Sequence, residues 1–582
     1  MQKLKLLLNT LSMLSLNQIF FLGYNKIIKS KLKPILVVLN KTLNRLNNFI
    51  SFKTISEKLN NVIGSDSIWR AGVEQSQNHY QYYNELKANI IDYTNTGDIS
   101  VIANYWNTAA DDVEVNYNYQ RFYLLKEVFD ELDTSDDIKI HLMLEWITKS
   151  NNVHLAWTGF NCAMRIINWL KILNDISPEN IPRDTWSIIQ QSIYLQHRFN
   201  LSNIENHIPG NHVLFQYYSA WLISEIFSGW ETKIDSERSL QKLLREIDVE
   251  FLDSGLHFEL STHYHLQILL VGLYLIGHLQ NLNREVPNGL MGTINKVAAV
   301  TGNFVIGNYY PLIGDGCYNF FHENYDEDIQ NFYHLRDKFL HTKKMDPITN
   351  YYDQYIVIKN NNFHMIFDVG EIGLKQNPGH GHADLLSIVL GYNKIPIFID
   401  SGTFQYNNKE ESLNLKRTSY HNTVSINGED QAKLWGFFRW AYLPKDIISK
   451  YNINDNGTIY AEGEFLGYRH LGGIKHKRCI KIKDNSVIIK DILKGKLGNS
   501  IQVNFVLHPD ISVEKQDNSI ILSTGLYKFE LSSNTKNIIP TVRDIMIYVS
   551  YNEPISSNKI IFEKKNIVAD ELRSEVILKP IS

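Results

Sequence analysis

The chain has 582 residues, of which 44% are hydrophobic and 12% aromatic, and its formal net charge is −4. This length and apolar content are sufficient for large buried cores and favour about two to four domains. The near-neutral charge, without a basic patch or motif, argues against nucleic acid as a partner. The three cysteines, Cys162, Cys317 and Cys479, lie far apart, and their odd number argues against a disulfide framework.

Residues 1–60 form a basic N-terminal segment, in which eight positions up to residue 50 are Lys or Arg and no acidic residue precedes Glu57. Its apolar stretch is interrupted by polar residues, which makes it too polar for a membrane-spanning helix. The segment has no small-residue cleavage motif, so it gives only weak support for a signal peptide. Two interpretations stay open: contact with an anionic membrane surface, and a helical preface to the next domain, which we favour.

Residues 61–340 are predicted to be helical. Apolar residues recur at helical spacing in stretches such as NCAMRIINWLKILND, NHVLFQYYSAWLISEIF and HYHLQILLVGLYLIGHLQN. The breaks between these stretches are short and contain Asn, Pro, Gly or Ser. A series of antiparallel helices of this kind predicts a bundle or a toroid.

Residues 345–582 are predicted to form β-strands. Short β-branched runs such as QYIVIKNNNFHMIFDVG, DLLSIVLGYNKIPIFID and HKRCIKIKDNSVIIKDIL are separated by Asn, Asp and Gly turns. Because no long helical pattern follows residue 350, an antiparallel sandwich is the expected packing. We therefore expect the domain boundary between residues 325 and 350.

Two motifs with chemical potential lie in the helical part. The loop ENHIPGNH contains the pairs Asn206-His207 and Asn211-His212, whose side chains can donate hydrogen bonds to a carboxylate. Further along, the stretch STHYH contains Tyr264. A phenol has a pKa near 10, so Tyr264 needs nearby cations or hydrogen-bond donors to act as a base at neutral pH.

Two further motifs lie in the β part. GHGHAD contains His380 and His382 two residues apart, so their side chains share a face if the chain is extended. The following hairpin returns to Asp400, and a later segment contains His421. A cluster of imidazoles and carboxylates suits either a metal site or acid–base chemistry, and His382, Asp400 and His421 are credible zinc ligands.

Taken together, these segments resemble the heparinase II/III-like polysaccharide lyases. The resemblance covers roughly residues 155–480 and is carried by WTGFNCAMRIINWL, IGDG, HGHAD, DSGTF and HNTV in that order. It implies an (α/α) toroid followed by an antiparallel β-sandwich. It also implies β-elimination at the O4 bond of a uronic acid in an acidic polysaccharide, a carbon–oxygen lyase reaction.

The resemblance also implies roles for individual residues. Asn211 and His212 would bind the uronate carboxylate, while Tyr264 would act as base, acid or both, with His380 as its partner. The implied substrate-binding residues are Asn206, His207, Arg165, Tyr406 and Trp435. The implied ligands of a structural Zn²⁺ ion are His382, Asp400 and His421.

The sequence departs from some relatives at Phe215, where they have a Glu three residues after the Asn-His pair. The low basic content also argues against a heavily sulfated substrate, so we expect a less charged uronate polymer, such as a bacterial capsule or exopolysaccharide. The family implies the cell envelope or periplasm, and the cytoplasm is the alternative. Two other functions stay open: a non-catalytic glycan-binding or assembly protein, and a metal-dependent glycan hydrolase.

Overall fold

The computed structural model describes residues 50–63, 87–88, 90–91, 113–149, 154–206, 210–227, 232–316, 325–340, 350–483, 485–498, 500–536, 538–550, 553–567 and 569–581. The basic N-terminal segment up to residue 49 lies outside these ranges, and so does His207. Both interpretations of that segment, a helical preface to the next domain and contact with a membrane surface, therefore stay predictions. Within the described ranges, no helix is both long and apolar enough to cross a bilayer.

The N-terminal part of the chain is helical. Its described helices are α1 Phe52–Ile63, α2 Val113–Arg121, α3 Tyr123–Glu131, α4 Asp136–Lys149, α5 Gly159–Asn174, α6 Arg183–Ser202, α7 Asn211–Ile226, α8 Thr232–Glu250, α9 Thr262–Asn281, α10 Asn288–Phe304 and α11 Tyr325–Phe339.

Helix α9 is a long, buried helix of this part. Its residues 262–279 are all buried, as expected for a helix that is apolar around its whole circumference. The helix starts where Ser261 accepts a hydrogen bond from the backbone N–H of Tyr264, which satisfies one of the free donors of the first turn. The cap therefore fixes Tyr264 in the first turn of a rigid, buried helix.

The C-terminal part is built from antiparallel strands. They are β1 Asn350–Tyr352, β2 Tyr355–Lys359, β3 Phe363–Asp368, β4 Ile388–Tyr392, β5 Ile395–Phe398, β6 Val424–Ile426, β7 Lys433–Gly436, β8 Arg439–Ala441, β9 Lys445–Ile453, β10 Ile459–Gly467, β11 Ile474–Lys483, β12 Ser486–Lys494, β13 Ser500–Val506, β14 Ser512–Lys515, β15 Ser519–Ser523, β16 Lys528–Ser533, β17 Pro540–Ser550, β18 Glu553–Lys565 and β19 Glu571–Ile581. A short helix, α12 Glu410–Leu415, interrupts them.

These strands form layered sheets. The described strands give a five-stranded sheet in the order β1-β2-β3-β4-β5, an eight-stranded sheet β14-β15-β16-β19-β12-β11-β10-β9 and a four-stranded sheet β17-β18-β13-β6, with β7 and β8 as a separate hairpin. Burial alternates along β10, β11 and β12, so one face of each strand packs on the core. The predicted fold, a helical toroid followed by an antiparallel β-sandwich, is confirmed.

The two parts share a continuous apolar core. Residues of the five-stranded sheet, among them Val357 and Val389, belong to the same buried cluster as the helices. Tyr355 on β2 donates its hydroxyl hydrogen to the carbonyl of Leu260, just before α9. Helix α11 ends at residue 339 and β1 begins at residue 350, and no described residue lies between 340 and 350, so the exact domain boundary stays a prediction.

Candidate active site

Tyr264 and His380 meet at the junction of the helical and β parts. Tyr264 lies in the first turn of α9, and His380 lies in a 3-10 turn, Pro378–His380, between β3 and β4. Their ring centroids are 4.1 Å apart, with a tilt of 44°. The hydroxyl groups of Tyr264 and Tyr406 share a hydrogen bond of 2.9 Å. Three residues that the sequence selected from separate segments therefore lie in one cluster.

Asp315 organises this cluster from the loop after α10, although the sequence did not single it out as a site residue. Its carboxylate accepts from His380 Nδ1 at 3.1 Å, from His382 Nε2 at 2.9 Å and from Lys416 Nζ at 2.8 Å. Burial opposes the ionisation of Asp315, but Lys416 and the two histidines outweigh burial and hold its pKa well below the ordinary range. The carboxylate is therefore ionised and acts as an acceptor.

The contact with Asp315 sets the tautomer of His380. Because an ionised carboxylate can only accept, the proton of a neutral His380 ring lies on Nδ1. The lone pair is then on Nε2, which lies 3.8 Å from Oε2 of Glu259. Lys416 also donates to the carbonyl of Gly379 at 2.7 Å, which anchors the loop that carries His380.

Glu259 is a second residue that the sequence did not single out. Its side chain is buried, and its Oε2 has no hydrogen-bond partner. The other carboxylate oxygen lies against Gly210, where a Cβ atom would come within 1.8 Å of it and where φ is +127°. Both the close approach and the positive φ require glycine just before α7. Burial raises the pKa of Glu259, while His380 and His212 oppose that shift.

The hydroxyl of Tyr264 is held as a neutral phenol. Burial raises its pKa well above 10, and the hydrogen bond shared with Tyr406 opposes this only in part, while the charges of Asp315 and Glu259 raise it further. Tyr264 therefore keeps its proton in the free site and is suited to donate it.

Asn211 and His212 begin α7 beside this cluster. The Asn211 amide donates to Oε1 of Gln267, one turn after Tyr264 on α9, at 3.4 Å. His212 Nδ1 lies 2.8 Å from Oε2 of Glu205. The His212 ring also stacks on Phe160 at 4.0 Å between centroids, with an angle of 5°. The stacking and the hydrogen bond fix the orientation of the imidazole.

Phe215, three residues after His212, packs against Phe160 with ring centroids 6.1 Å apart. It is buried. This position therefore supports the platform under His212 and offers no polar group to a substrate.

Arg165 corrects one prediction. It was expected to bind substrate, but its side chain is completely buried and its guanidinium lies 3.8 Å from the ring centre of Trp146. It donates to the Gln196 side chain and to two backbone carbonyls, those of Gln120 and Ala156. Arg165 therefore connects helices of the toroid and leaves no face for a substrate.

The other predicted substrate-binding residues, Asn206, Trp435 and His207, lie in three different environments. Asn206 lies in an exposed turn before α7. Trp435 lies on β7, partly buried, with the Arg439 guanidinium 5.3 Å from its ring centre. His207 is outside the described residues, so its role stays a prediction.

A candidate metal centre lies behind His380. Within the described ranges, His382, Asp384 and His421 are buried and offer ligand atoms that all lie within 4.8 Å of one another. Nδ1 of His382 and Nε2 of His421 are buried and have no hydrogen-bond partner. The opposite nitrogen of each ring contacts a carboxylate, since His382 Nε2 lies on Asp315 and His421 Nδ1 lies 2.8 Å from Asp400 Oδ2.

The grouped residues differ from the predicted ligand set at one position. Asp384 lies with the inner, unpartnered nitrogens, whereas Asp400 contacts Nδ1, the outer nitrogen, of His421 through Oδ2 and has a buried, unpartnered Oδ1. Which of the two carboxylates would bind the metal stays a prediction. Two imidazoles anchored by carboxylates, together with a third carboxylate, are a donor set that suits Zn²⁺. The unpartnered inner nitrogens fit such an ion.

Comparisons with known proteins match both the helical and the β part of the chain. Residues 75–340 match the family model "Heparinase II/III N-terminus", and residues 354–573 match "Heparinase II/III-like, C-terminal". A heparin-sulfate lyase from Bacteroides stercoris is 23% identical over 376 residues, which cover 59% of this chain and 52% of that protein. The matching region thus spans about half the length of this curated relative.

Solved structures share the architecture. A crystal structure of heparinase III superimposes with a TM-score of 0.68 at 14% identity, over 94% of this chain and 89% of the other. The heparan sulfate lyase HepC from Pedobacter heparinus gives a TM-score of 0.55 at 16% identity, over 82% and 78% of the two chains. At such identities the likeness establishes the fold.

Proposed function

The chain belongs to the heparinase II/III-like family, and from this premise we propose that it is a polysaccharide lyase that cleaves a uronic-acid-containing polysaccharide by β-elimination. The observation that carries the proposal is the contact of Tyr264 with His380, 4.1 Å apart between ring centroids at the junction of the two parts. Tyr264 is suited to donate a proton, and Nε2 of His380 is suited to accept one. Elimination needs such a pair beside one C4–C5 unit.

The structure supports a division of labour that the sequence left open. In the proposed reaction, His380 Nε2 takes the C5 proton, and the C–H electron pair becomes the C4–C5 double bond. The bond between C4 and its glycosidic oxygen breaks, and that oxygen takes the phenolic proton of Tyr264. Because the Tyr264 and His380 rings are in contact, the proton on His380 can then return to the phenolate.

Asn211 and His212 would meet the uronate carboxylate. The Asn211 amide can donate to that group directly, whereas His212 can donate from Nε2 only when both of its ring nitrogens carry protons, because Nδ1 is paired with Glu205. Such hydrogen bonds offset the negative charge of the carboxylate, which makes the neighbouring C5 proton more acidic. Both residues sit at the N-terminus of α7, where the helix dipole also favours an anion. The helix dipole, the Asn211 amide and the His212 imidazole would therefore all stabilise the bound carboxylate.

A zinc ion held by His382, Asp384 and His421 would supply a rigid brace for the loop behind the site. The residues that touch substrate would be those of the Tyr264–His380 cluster. His382 also contacts Asp315, so a fixed His382 would help to hold the carboxylate that orients His380.

The charges around the site favour a weakly sulfated substrate. Glu205 contacts His212, Glu259 faces His380, and the buried cation of Lys416 is paired with Asp315. The sulfates of a heavily sulfated polymer would be repelled by the carboxylates of Glu205 and Glu259. Lys416 would not offset this repulsion, because it is already paired with Asp315. We therefore propose a uronate polymer of low sulfate content.

The experiment that tests the proposed function is a panel of acidic polysaccharides. It should contain an unsulfated glucuronate polymer with N-acetylated amino sugars, the same polymer carrying sulfates, and a polyuronate. The expected result is an ultraviolet-absorbing unsaturated uronate product, formed faster from the unsulfated chain. No unsaturated product from any member would contradict the proposal.

A further inference from the structure

The hairpin of β7 and β8 carries two aromatic residues at its tip. Gly436 pairs with Arg439, so Phe437 and Phe438 form its two-residue tip. Neither residue has a positive φ, so the turn does not require Gly, Asn or Asp and accepts aromatic residues without backbone strain. What distinguishes the tip is that both of its side chains are aromatic rings.

The two phenylalanines have different environments. Phe437 is buried, its backbone N–H donates to Oδ1 of Asn408 at 2.8 Å, and Lys416 Nζ lies 4.3 Å from its ring centre. Phe438, in contrast, is 46% exposed. The buried member anchors the tip, and the anchored tip presents the ring of Phe438 to solvent.

The exposed ring borders the proposed reaction centre. Its centroid is 5.8 Å from that of His380 and 5.6 Å from that of Tyr406. The ring also covers Gly379, where a Cβ atom would lie 3.3 Å from it. Phe438 therefore forms a wall next to the residues that would transfer protons, yet it has no group that can transfer one.

We propose that Phe438 is the platform of a sugar-binding subsite, on which the sugar next to the cleaved uronate stacks. This inference rests on the proposed function and names the neighbouring sugar's chemistry. The C–H face of a pyranose is apolar, so stacking on an aromatic ring removes apolar surface of both from water. The ligand is a neutral or N-acetylated hexose whose stacked face carries no sulfate, because a sulfate pressed on the ring would lose hydration without gaining a partner.

The test compares Phe438→Ala with Phe438→Trp on the unsulfated glucuronate polymer. The alanine variant should raise KM by about tenfold and leave kcat within about threefold, while the tryptophan variant should keep both near the wild-type values. Tyr451→Ala is the matched control, because Tyr451 is an exposed aromatic residue on β9 at the edge of the eight-stranded sheet. An unchanged KM for Phe438→Ala would overturn the proposal, and so would a fall in kcat alone, which would indicate that the ring only supports His380.

A binding measurement separates this inference from the proposed function. In gels that contain the unsulfated polymer, wild-type protein and Phe438→Trp should be retarded, and Phe438→Ala should migrate freely. That result would support the subsite even if no unsaturated product forms. Equal retardation of all variants, or no retardation of the wild type, would contradict it. Equal melting temperatures of the variants should accompany the comparison.

Discussion

His380 and Asp315 are joined by a hydrogen bond of 3.1 Å between Nδ1 and Oδ2, and they come from different parts of the chain. A carboxylate on a loop of the helical part thus sets the tautomer of an imidazole in the β part. A backbone hydrogen bond joins the same two residues, since the Asp315 N–H donates to the His380 carbonyl at 2.7 Å. The proposed base is therefore oriented only when the two parts are packed together.

The first prediction concerns Tyr264→Phe, which removes the phenolic proton and keeps the ring that packs on His380. Turnover should fall by at least about a hundredfold, since general acid catalysis contributes that much or more. Folding and glycan retardation should stay near the wild-type values. Tyr355→Phe is the matched control, because Tyr355 is another buried tyrosine at the junction, with its hydroxyl on the Leu260 carbonyl. Normal turnover of Tyr264→Phe would show that the assignment is wrong.

The second prediction separates the inner and outer carboxylates of the candidate metal centre. The purified protein should contain about one zinc ion per chain, and Asp384→Asn should lose it. Asp400→Asn should still bind zinc, with an affinity reduced by about 10- to 100-fold, because an outer carboxylate only orients the ligand His421. Elemental analysis and zinc titration measure both. Loss of zinc in Asp400→Asn with retention in Asp384→Asn would reverse the ligand set.

The third prediction concerns the buried ion pair of Lys416 and Asp315. Lys416→Met should lower the free energy of unfolding by about 3 to 5 kcal/mol, because it leaves a buried carboxylate without its cation. The control is Lys579→Met, which breaks an exposed pair with Glu530 and should cost less than about 1 kcal/mol. Denaturant titrations of both variants give the comparison. Equal effects of the two substitutions would refute the buried pair's role.

The fourth prediction concerns acid stability through His278. Burial lowers its pKa from 6.5 to about 4, and the ring bonds to the Val62 carbonyl and the Tyr218 hydroxyl. Between these pKa values the unfolded chain binds a proton that the folded chain does not, so stability is lost as the pH falls from about 6.5 to 4. The loss should reach about 3 kcal/mol.

His278→Gln keeps a donor and an acceptor at this position but cannot titrate. Its unfolding free energy should therefore fall less than that of the wild type across the same pH window. Melting curves at several pH values provide the measurement. Parallel curves for the two proteins would mean that His278 does not contribute.

Much of the fold follows from local patterns in the sequence. The apolar periodicity of HYHLQILLVGLYLIGHLQN predicted a helix, and the structure has α9 there. Alternation in HKRCIKIKDNSVIIKDIL predicted strands, and β11 and β12 show the alternating burial of a half-covered sheet. Such patterns are visible because each residue's neighbours along the chain are also its neighbours in the element.

The residues that contact one another within the site could not be predicted from local sequence patterns. The contacts that join Asp315 to His380, Asp315 to Lys416 and Glu259 to His380 connect residues that are 65 to 121 positions apart in the chain, and no local sequence pattern predicts such a contact. Asp315 did stand in the IGDG string and Glu259 in the stretch that leads to Tyr264, so a search for buried carboxylates near motif residues would have found them. Arg165 was misassigned because a charged residue on an apolar helix gives no sign of its burial.

The central claim is that this protein breaks glycosidic bonds by elimination, and the most direct measurement is cleavage in water enriched in heavy oxygen. Elimination adds no water, so products that are reduced with borohydride immediately after a short reaction, before their new reducing ends exchange oxygen with the solvent, should contain no heavy oxygen and should carry an ultraviolet-absorbing double bond. The Tyr264→Phe variant should give neither cleavage nor that absorbance at a comparable rate. Saturated products that carry one heavy oxygen per cleaved bond would instead indicate hydrolysis and would contradict the account.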